Sequence, residues 1–229
     1  MKGTLIAIEG LDGSGKATQT ARLFGALSAR DLPVRKVSFP DYGSESSALV
    51  KMYLRGDFGS DPSDVNPYAA SAFYAVDRYA GFKRDWGAFY QGGGIILADR
   101  YATSNAVHQC AKLPEAEWDG FLRWLFTFEY EQMGIPAPDQ VLYLQTDPAV
   151  SRQLMDHRYA GGAGRMDIHE RNEPYQNRAR RAADYCAAHL GWRTVVCTRD
   201  GTMRTEEDIH QEILAAVQPI LREGSDCHV

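Results

Sequence analysis

Five short stretches of the chain are almost continuously apolar: Thr4 to Glu9, Val34 to Phe39, Gly94 to Asp99, Gln140 to Gln145 and Arg193 to Thr198. Each is about six residues long and rich in Ile, Val and Leu. Continuous rather than alternating hydrophobicity marks strands covered on both faces in a parallel sheet. Between them, apolar residues recur at helical spacing in Ala17–Asp31, Pro67–Gln91, Glu115–Met133, Pro148–His157, Tyr175–Leu190 and Thr205–Arg222. This alternation predicts an α/β fold: a three-layer α/β/α sandwich around a five-stranded parallel sheet with right-handed crossovers. The 229 residues suit one domain spanning 1–229.

Two polar stretches break the pattern. Residues 55–66 are rich in turn formers, and residues 158–174 carry three glycines, three arginines and a closing proline. The second reads either as a solvated loop or as a hinged lid able to bring arginines over phosphates, within a lid segment of about 155–174. The tail after Glu223 is expected to fray. Composition adds exclusions. With 44% hydrophobic and 24% charged residues the chain is not intrinsically disordered. A formal charge of −5 with no long basic run argues against a nucleic-acid polymer as partner. Four widely spaced cysteines have neither zinc nor disulfide spacing, and no run is apolar enough for a membrane span. A soluble cytoplasmic protein with reduced thiols is the expectation.

The sharpest chemistry lies at Gly10-Leu11-Asp12-Gly13-Ser14-Gly15-Lys16-Ala17-Thr18, which joins the first strand to the first helix. The spacing G-x-x-x-x-G-K in a strand–loop–helix context is the P-loop. Its glycines let successive N–H groups converge on an anion, the helix N-terminus adds partial positive charge, and Lys16 reaches the outer phosphates. A nucleoside triphosphate such as ATP is therefore expected there. The residue after the lysine is Ala17 instead of the usual hydroxyl. Thr18 offers a hydroxyl in another direction, so a magnesium ion would lean on water, phosphates and carboxylates. Asp99, ending the third strand, stands where a metal-side aspartate of such a site belongs.

The P-loop, Phe39-Pro40-Asp41-Tyr42, Tyr74-Ala75-Val76-Asp77-Arg78, Asp99-Arg100-Tyr101 and Asp167-Ile168-His169-Glu170 occur in one order over most of the chain. Together they resemble the thymidylate kinase family of nucleoside monophosphate kinases. On their own, Tyr74 and Arg78 share a helix face and fit either a base-stacking pair or an ordinary amphipathic surface. Asn105 and His108 likewise share a face.

The resemblance implies ATP-dependent transfer to the 5′-phosphate of dTMP, with magnesium, in a homodimer. It makes Tyr74 the ring that stacks on thymine and Arg78 its carbonyl ligand, with Phe39 in the same dTMP site. Asn105 becomes the base-edge reader, its amide donating and accepting at once. Arg100 becomes the clamp of the acceptor phosphate, assisted by Tyr42. Asp12 would sit near the sugar 3′-hydroxyl and the metal. His108 falls near the sugar, where relatives carry tyrosine, or is a surface histidine. Some relatives have a P-loop arginine where this chain has Gly13, so catalytic charge falls to the lid: Arg158 and Arg165, with Arg171 third. Arg199, after the fifth strand, is expected at the edge of the adenine. The alternatives are a kinase for dUMP or dCMP, and a P-loop ATPase or catalytically idle nucleotide-binding module.

Overall fold

A computed structural model describes residues 2–160 and 166–223. Five parallel strands, β1 (Thr4–Glu9), β2 (Val34–Ser38), β3 (Ile95–Asp99), β4 (Gln140–Gln145) and β5 (Arg193–Val196), form one sheet in the order β2-β3-β1-β4-β5. From β1 the chain crosses to the edge strand β2, returns inward as β3, and then continues on the other side of β1 through β4 and β5. The carboxyl ends of β1 and β3, paired at Ile8↔Asp99, therefore border the crevice where open α/β sheets bind ligands.

The central runs are continuous because β1, β3 and β4 each feed two cores, whereas the edge strands β2 and β5 are only partly covered. Ile6 and Ile8 of β1 point to the layer of α1 (Lys16–Ser28) and α9 (Glu206–Glu223), packing with Leu23, Leu27, Ile209, Ile213 and Val217. Leu5 and Ala7 point the other way, toward Phe82, Trp86 and Tyr90. This is the period-two alternation of a strand with both faces buried.

On that second side lie α2 (Ala48–Arg55), α3 (Pro67–Gly81), the short α4 (Gly87–Gln91), α5 (Ala102–Cys110), α6 (Trp118–Phe126) and α8 (Glu173–His189). Wide π turns at Phe82–Trp86 and Thr127–Gln132 continue α3 and α6. Ala179, Ala182, Ala183 and Ala187 of α8 are buried. These small side chains pack against Val107 and Ala111, or Ala106 and Cys110, at the α5 end of the layer. α7 (Pro148–Ala160) leads from β4 toward the expected lid.

The fold is the expected α/β/α sandwich, with three differences. α2 and α5 have no counterpart among the expected helices. The last strand of the sheet stops at Val196, and Thr198–Arg199 (β6) pairs instead with Thr202–Met203 (β7) in a small antiparallel hairpin. Finally, the stretch expected to be a loop after 158 is not uniformly one. Residues to Ala160 continue α7, and Ile168 and His169 are 3% and 5% exposed, docked on α2 and α3. Among the described residues no helix is long and apolar enough to cross a membrane.

Candidate active site

The carboxyl ends of β1, β2 and β3 open into one cavity of about 1230 Å³. The P-loop forms one end. Gly15 caps α1 in a left-handed conformation at φ 80°, which a side chain would strain. Gly13 also has a positive φ of 75°, and a Cβ there would lie 2.5 Å from the Ser151 carbonyl oxygen of α7. That contact leaves no room for a P-loop side chain, so this chain's lack of an arginine at Gly13 is built into the packing. Leu11 is buried, and its carbonyl accepts from the Ser14 amide (3.2 Å) and from Lys16 Nζ (2.8 Å).

Charges concentrate just beyond the loop. Arg100, itself at φ 65°, donates through Nη2 to Asp12 Oδ1 at 2.5 Å and faces His108 Nε2 from Nη1 at 3.2 Å. Burial alone would raise the Asp12 pKa, but the cations Arg100 and Lys16 outweigh it and hold the carboxyl well below its ordinary value. Burial and the neighbouring Arg100 pull Lys16 down to about 8, against the attraction of Asp12, Asp99 and Glu9. Asp99 faces the same cavity from the end of β3. Ala17 and Thr18 are exposed at its rim.

The opposite end is built around Glu129, which is fully buried. Its carboxylate takes Arg78 bidentately, Nε donating to Oε2 at 2.8 Å and Nη2 to Oε1. Burial works against the guanidinium charge, but Glu129 outweighs it and the Arg78 pKa is raised. The same carboxylate accepts from Asn105 Nδ2 at 3.1 Å, and that amide nitrogen also donates to the Ser71 carbonyl at 3.2 Å. Both neighbours only accept, which fixes the amide's orientation. The expected double use of Asn105 is thereby corrected: its N–H groups are spent within the protein, and Oδ1 is the atom left for a ligand. Arg78, at 1% exposure, is no surface arginine. Tyr74 and the buried Phe39 line the same region, and the Tyr74 ring stands edge-on to Tyr53 at 6.5 Å.

The cavity thus gathers Asp12 through Thr18, Phe39, Tyr42, Tyr74, Arg78, Asp99, Arg100, Asn105, His108 and Arg171. Gly10 and Leu11 shape the loop from behind it. Arg199 does not line it: the residue is exposed on β6, while Met203 of the same hairpin reaches within 3.7 Å of where a Gly15 Cβ would stand. Arg158 lies on α7, with a side chain outside the described residues, and Arg165 is outside them altogether.

Three functional groups escaped the sequence reading. Gln109 is fully buried, lines the cavity, and has neither amide atom hydrogen-bonded within the protein. Its position four residues after Asn105, on one helix face, was the available signal. Glu129 gave none, because its partners lie 51 and 24 residues away. Asp77 stood inside the Tyr74–Arg78 motif without a role; its buried carboxylate accepts from the Asp41 amide (2.8 Å) and Ser46 Oγ (2.5 Å), fastening the loop after β2.

The model of the family described as thymidylate kinase matches residues 8–213. The chain belongs to the thymidylate kinase family. It is 34% identical over 194 residues to a thymidylate kinase of Mycobacterium tuberculosis, covering 82% of this chain and 87% of that protein. A human thymidylate kinase is 28% identical over 230 residues, covering 98% and 94%. A solved thymidylate kinase from Candida albicans shares the fold with a TM-score of 0.67 at 20% identity, covering 95% of this chain and 92% of that one. Family membership thus meets a cavity with a phosphate-binding loop at one end and a paired guanidinium and amide at the other.

The lowered Lys16 pKa sets a protonation signature. A bound triphosphate favours the charged amine, so binding takes up a proton wherever free Lys16 is deprotonated, that is, increasingly above pH 8. Calorimetric titration of ATP in buffers of different ionisation enthalpy should give uptake that is small at pH 7 and approaches one proton at pH 9. Lys16→Met should abolish that rise; a pH-independent difference between the two proteins would refute the assignment.

Proposed function

We propose that the chain is an ATP-dependent thymidylate kinase that transfers the γ-phosphoryl group of ATP to the 5′-phosphate of dTMP, giving dTDP. The observation carrying this reading is the polarity of the base end. With Asn105 Nδ2 consumed by Glu129 and Ser71, the pocket offers an acceptor, Asn105 Oδ1, beside the donor Arg78. Thymine presents the complement, an N3–H donor next to the O4 acceptor. Cytosine reverses both groups and would leave buried polar atoms opposed, which costs several-fold to hundreds-fold in affinity. A kinase for dCMP is therefore disfavoured. Gln109, with a free donor and a free acceptor, adds a third polar contact at this end.

In the middle of the cavity Arg100, fixed by Asp12, faces the acceptor phosphate, with Tyr42 at the rim. The attacking oxygen is already anionic, so no strong general base is required. Catalysis consists of alignment and of stabilising charge on the transferred group. Lys16 serves the donor phosphates. Segment 155–174 of the single catalytic domain acts as the lid and brings Arg158 and Arg165 to the γ-phosphoryl group.

Among the described residues no three His, Cys, Asp or Glu side chains converge into a metal cage. Of the carboxylates that line the cavity, Asp12 and Asp99 stand at its P-loop end, on the loop itself and at the end of β3. That donor set fits magnesium, which retains much of its water and takes oxygen ligands from phosphates. Asp12 and Asp99 would hold the ion through water, and it would supply charge neutralisation between the β- and γ-phosphates. The reaction belongs in the cytoplasm, a compartment that the free, buried thiols of Cys110, Cys186 and Cys197 suit.

The protein works as a homodimer. Support comes from α3, where Tyr68, Val76 and Tyr79 are 45%, 41% and 37% exposed along one face. Tyr68 meets Trp124 of α6 at 4.5 Å, and Trp124 stacks on Phe128, which extends the apolar strip. Light scattering should give twice the chain mass, and Val76→Asp should shift the protein toward monomer. A wild-type monomer at all concentrations tested would exclude this interface.

ADP release measured with dTMP, dUMP, dCMP, dGMP or buffer alone tests the reaction itself. dTMP should be strongly preferred, and equal turnover with buffer would mark an ATPase. Asn105→Ala should weaken dTMP binding by ~1–3 kcal/mol, the cost of an unpaired polar edge; unchanged affinity and unchanged base preference would exclude its role. For the lid, Arg158→Ala or Arg165→Ala should lower kcat roughly 100-fold, ~2.7 kcal/mol, while the dTMP dissociation constant hardly moves. If neither variant loses even threefold, the catalytic lid must be abandoned.

A further inference from the structure

His108 does not point at solvent, and its two ring nitrogens are both engaged. Nε2 lies 3.2 Å from Arg100 Nη1, and Nδ1 lies 3.2 Å from the hydroxyl of Tyr175 on α8. A guanidinium only donates, so Nε2 must accept and the ring proton must sit on Nδ1. The rest of the chain of hydrogen bonds agrees. Nδ1–H donates to Tyr175 Oη, and Tyr175 Oη–H donates onward to the His108 carbonyl at 2.9 Å. Every donor then has one acceptor, and only this tautomer allows it. Burial and the adjacent Arg100 keep the ring neutral, pulling its pKa down to about 3 against the attraction of Asp12.

The ring is also clamped sideways. His169 stacks on it at 5.6 Å with an interplanar angle of 17°, and Tyr175 lies nearly parallel at 6.2 Å and 19°. His169 in turn sits 2.7 Å from Tyr53 Oη of α2. Of the clamping residues, His169 lies within segment 155–174 and Tyr175 directly after it, in the first turn of α8. One contact to Asp12 leaves the guanidinium of Arg100 free to turn about that contact. A second, on Nη1, fixes its plane.

We propose that His108 is a positioning residue for Arg100: its Nε2 fixes the guanidinium plane, and Tyr175 and His169 hold the ring in the Nδ1–H form that makes this possible. This rests on Arg100 being the ligand of the acceptor phosphate. It assigns to His108 a role exerted through Arg100, distinct from contact with the sugar.

The test compares binding of dTMP with binding of thymidine, which lacks the phosphate. His108→Phe keeps the stacking and removes the acceptor. It should weaken dTMP about tenfold, as for loss of one charge-assisted hydrogen bond, and leave thymidine nearly unchanged. His108→Gln, whose side-chain carbonyl can accept from Arg100, should recover most of the loss. In an Arg100→Ala background, His108→Phe should have no further effect on dTMP. Equal weakening of dTMP and thymidine by His108→Phe, or no weakening of either, would overturn the positioning role. If Arg100→Ala itself fails to weaken dTMP relative to thymidine, the acceptor-clamp reading falls instead. On the wild-type protein, long-range proton–nitrogen spectra at pH 7 should show His108 neutral with the proton on Nδ1. An Nε2–H ring or an imidazolium would overturn the proposal without recourse to any variant.

Discussion

The two halves of the pocket are held in register by one buried carboxylate at the end of the central strand. Glu9 is 1% exposed and accepts from the Tyr101 amide at 3.0 Å, Thr103 Oγ1 at 2.6 Å and Ser104 Oγ at 2.6 Å. All three donors lie at the start of α5. An anion at a helix N-terminus complements the dipole there, and α5 has no side-chain cap of its own. The carboxylate therefore ties the strand that delivers the P-loop to the helix that carries Asn105, His108 and Gln109. Removing it would leave two buried donors and the part-buried Ser104 hydroxyl without this partner, and the two nucleotide ends without a common reference.

From that clasp the charges fall into a gradient. At the P-loop, burial and the neighbouring Arg100 leave the Lys16 ammonium incompletely compensated by Asp12, Asp99 and Glu9, and Lys16 loses part of its hold on its proton. At the base end, Arg78 and Glu129 satisfy each other, leaving directional polar atoms with little net charge. A site that must hold several phosphates and one neutral heterocycle needs this asymmetry. Excess positive potential at the base end would favour any anion there over a particular pattern of donors and acceptors.

The central strands β1, β3 and β4 were legible because burial on both faces leaves almost no polar position to interrupt a run. The P-loop was legible because its chemistry is local in sequence. α5 was not marked out as a helix, and the reason is functional: Thr103, Ser104, Asn105, His108 and Gln109 put polar groups where a structural helix would carry its apolar stripe. α2, at eight residues, is too short for periodicity to speak clearly. The partnerships of Glu129, Asp77 and Tyr175 join segments 24 to 67 residues apart, and no spacing rule announces them. The second half of the lid segment resembled a solvated loop by composition. Its burial comes from Ile168 and His169 finding α2 and α3, a tertiary event that polarity alone does not encode.

The contact between Gly13 and Ser151 has a mechanical side. Ser151 also donates through Oγ to the Asp12 carbonyl, so the first turn of α7 is bolted to the phosphate loop. The helix then runs nine residues to Ala160, roughly 13 Å at 1.5 Å per residue. It is a lever with its fulcrum on the donor site. A tilt of about 10° at Ser151 carries its far end by roughly 2 Å, enough to make or break a hydrogen bond. A small adjustment of the loop around a nucleotide would thus be magnified at the tip of α7, from a junction where Gly13 leaves space for Ser151.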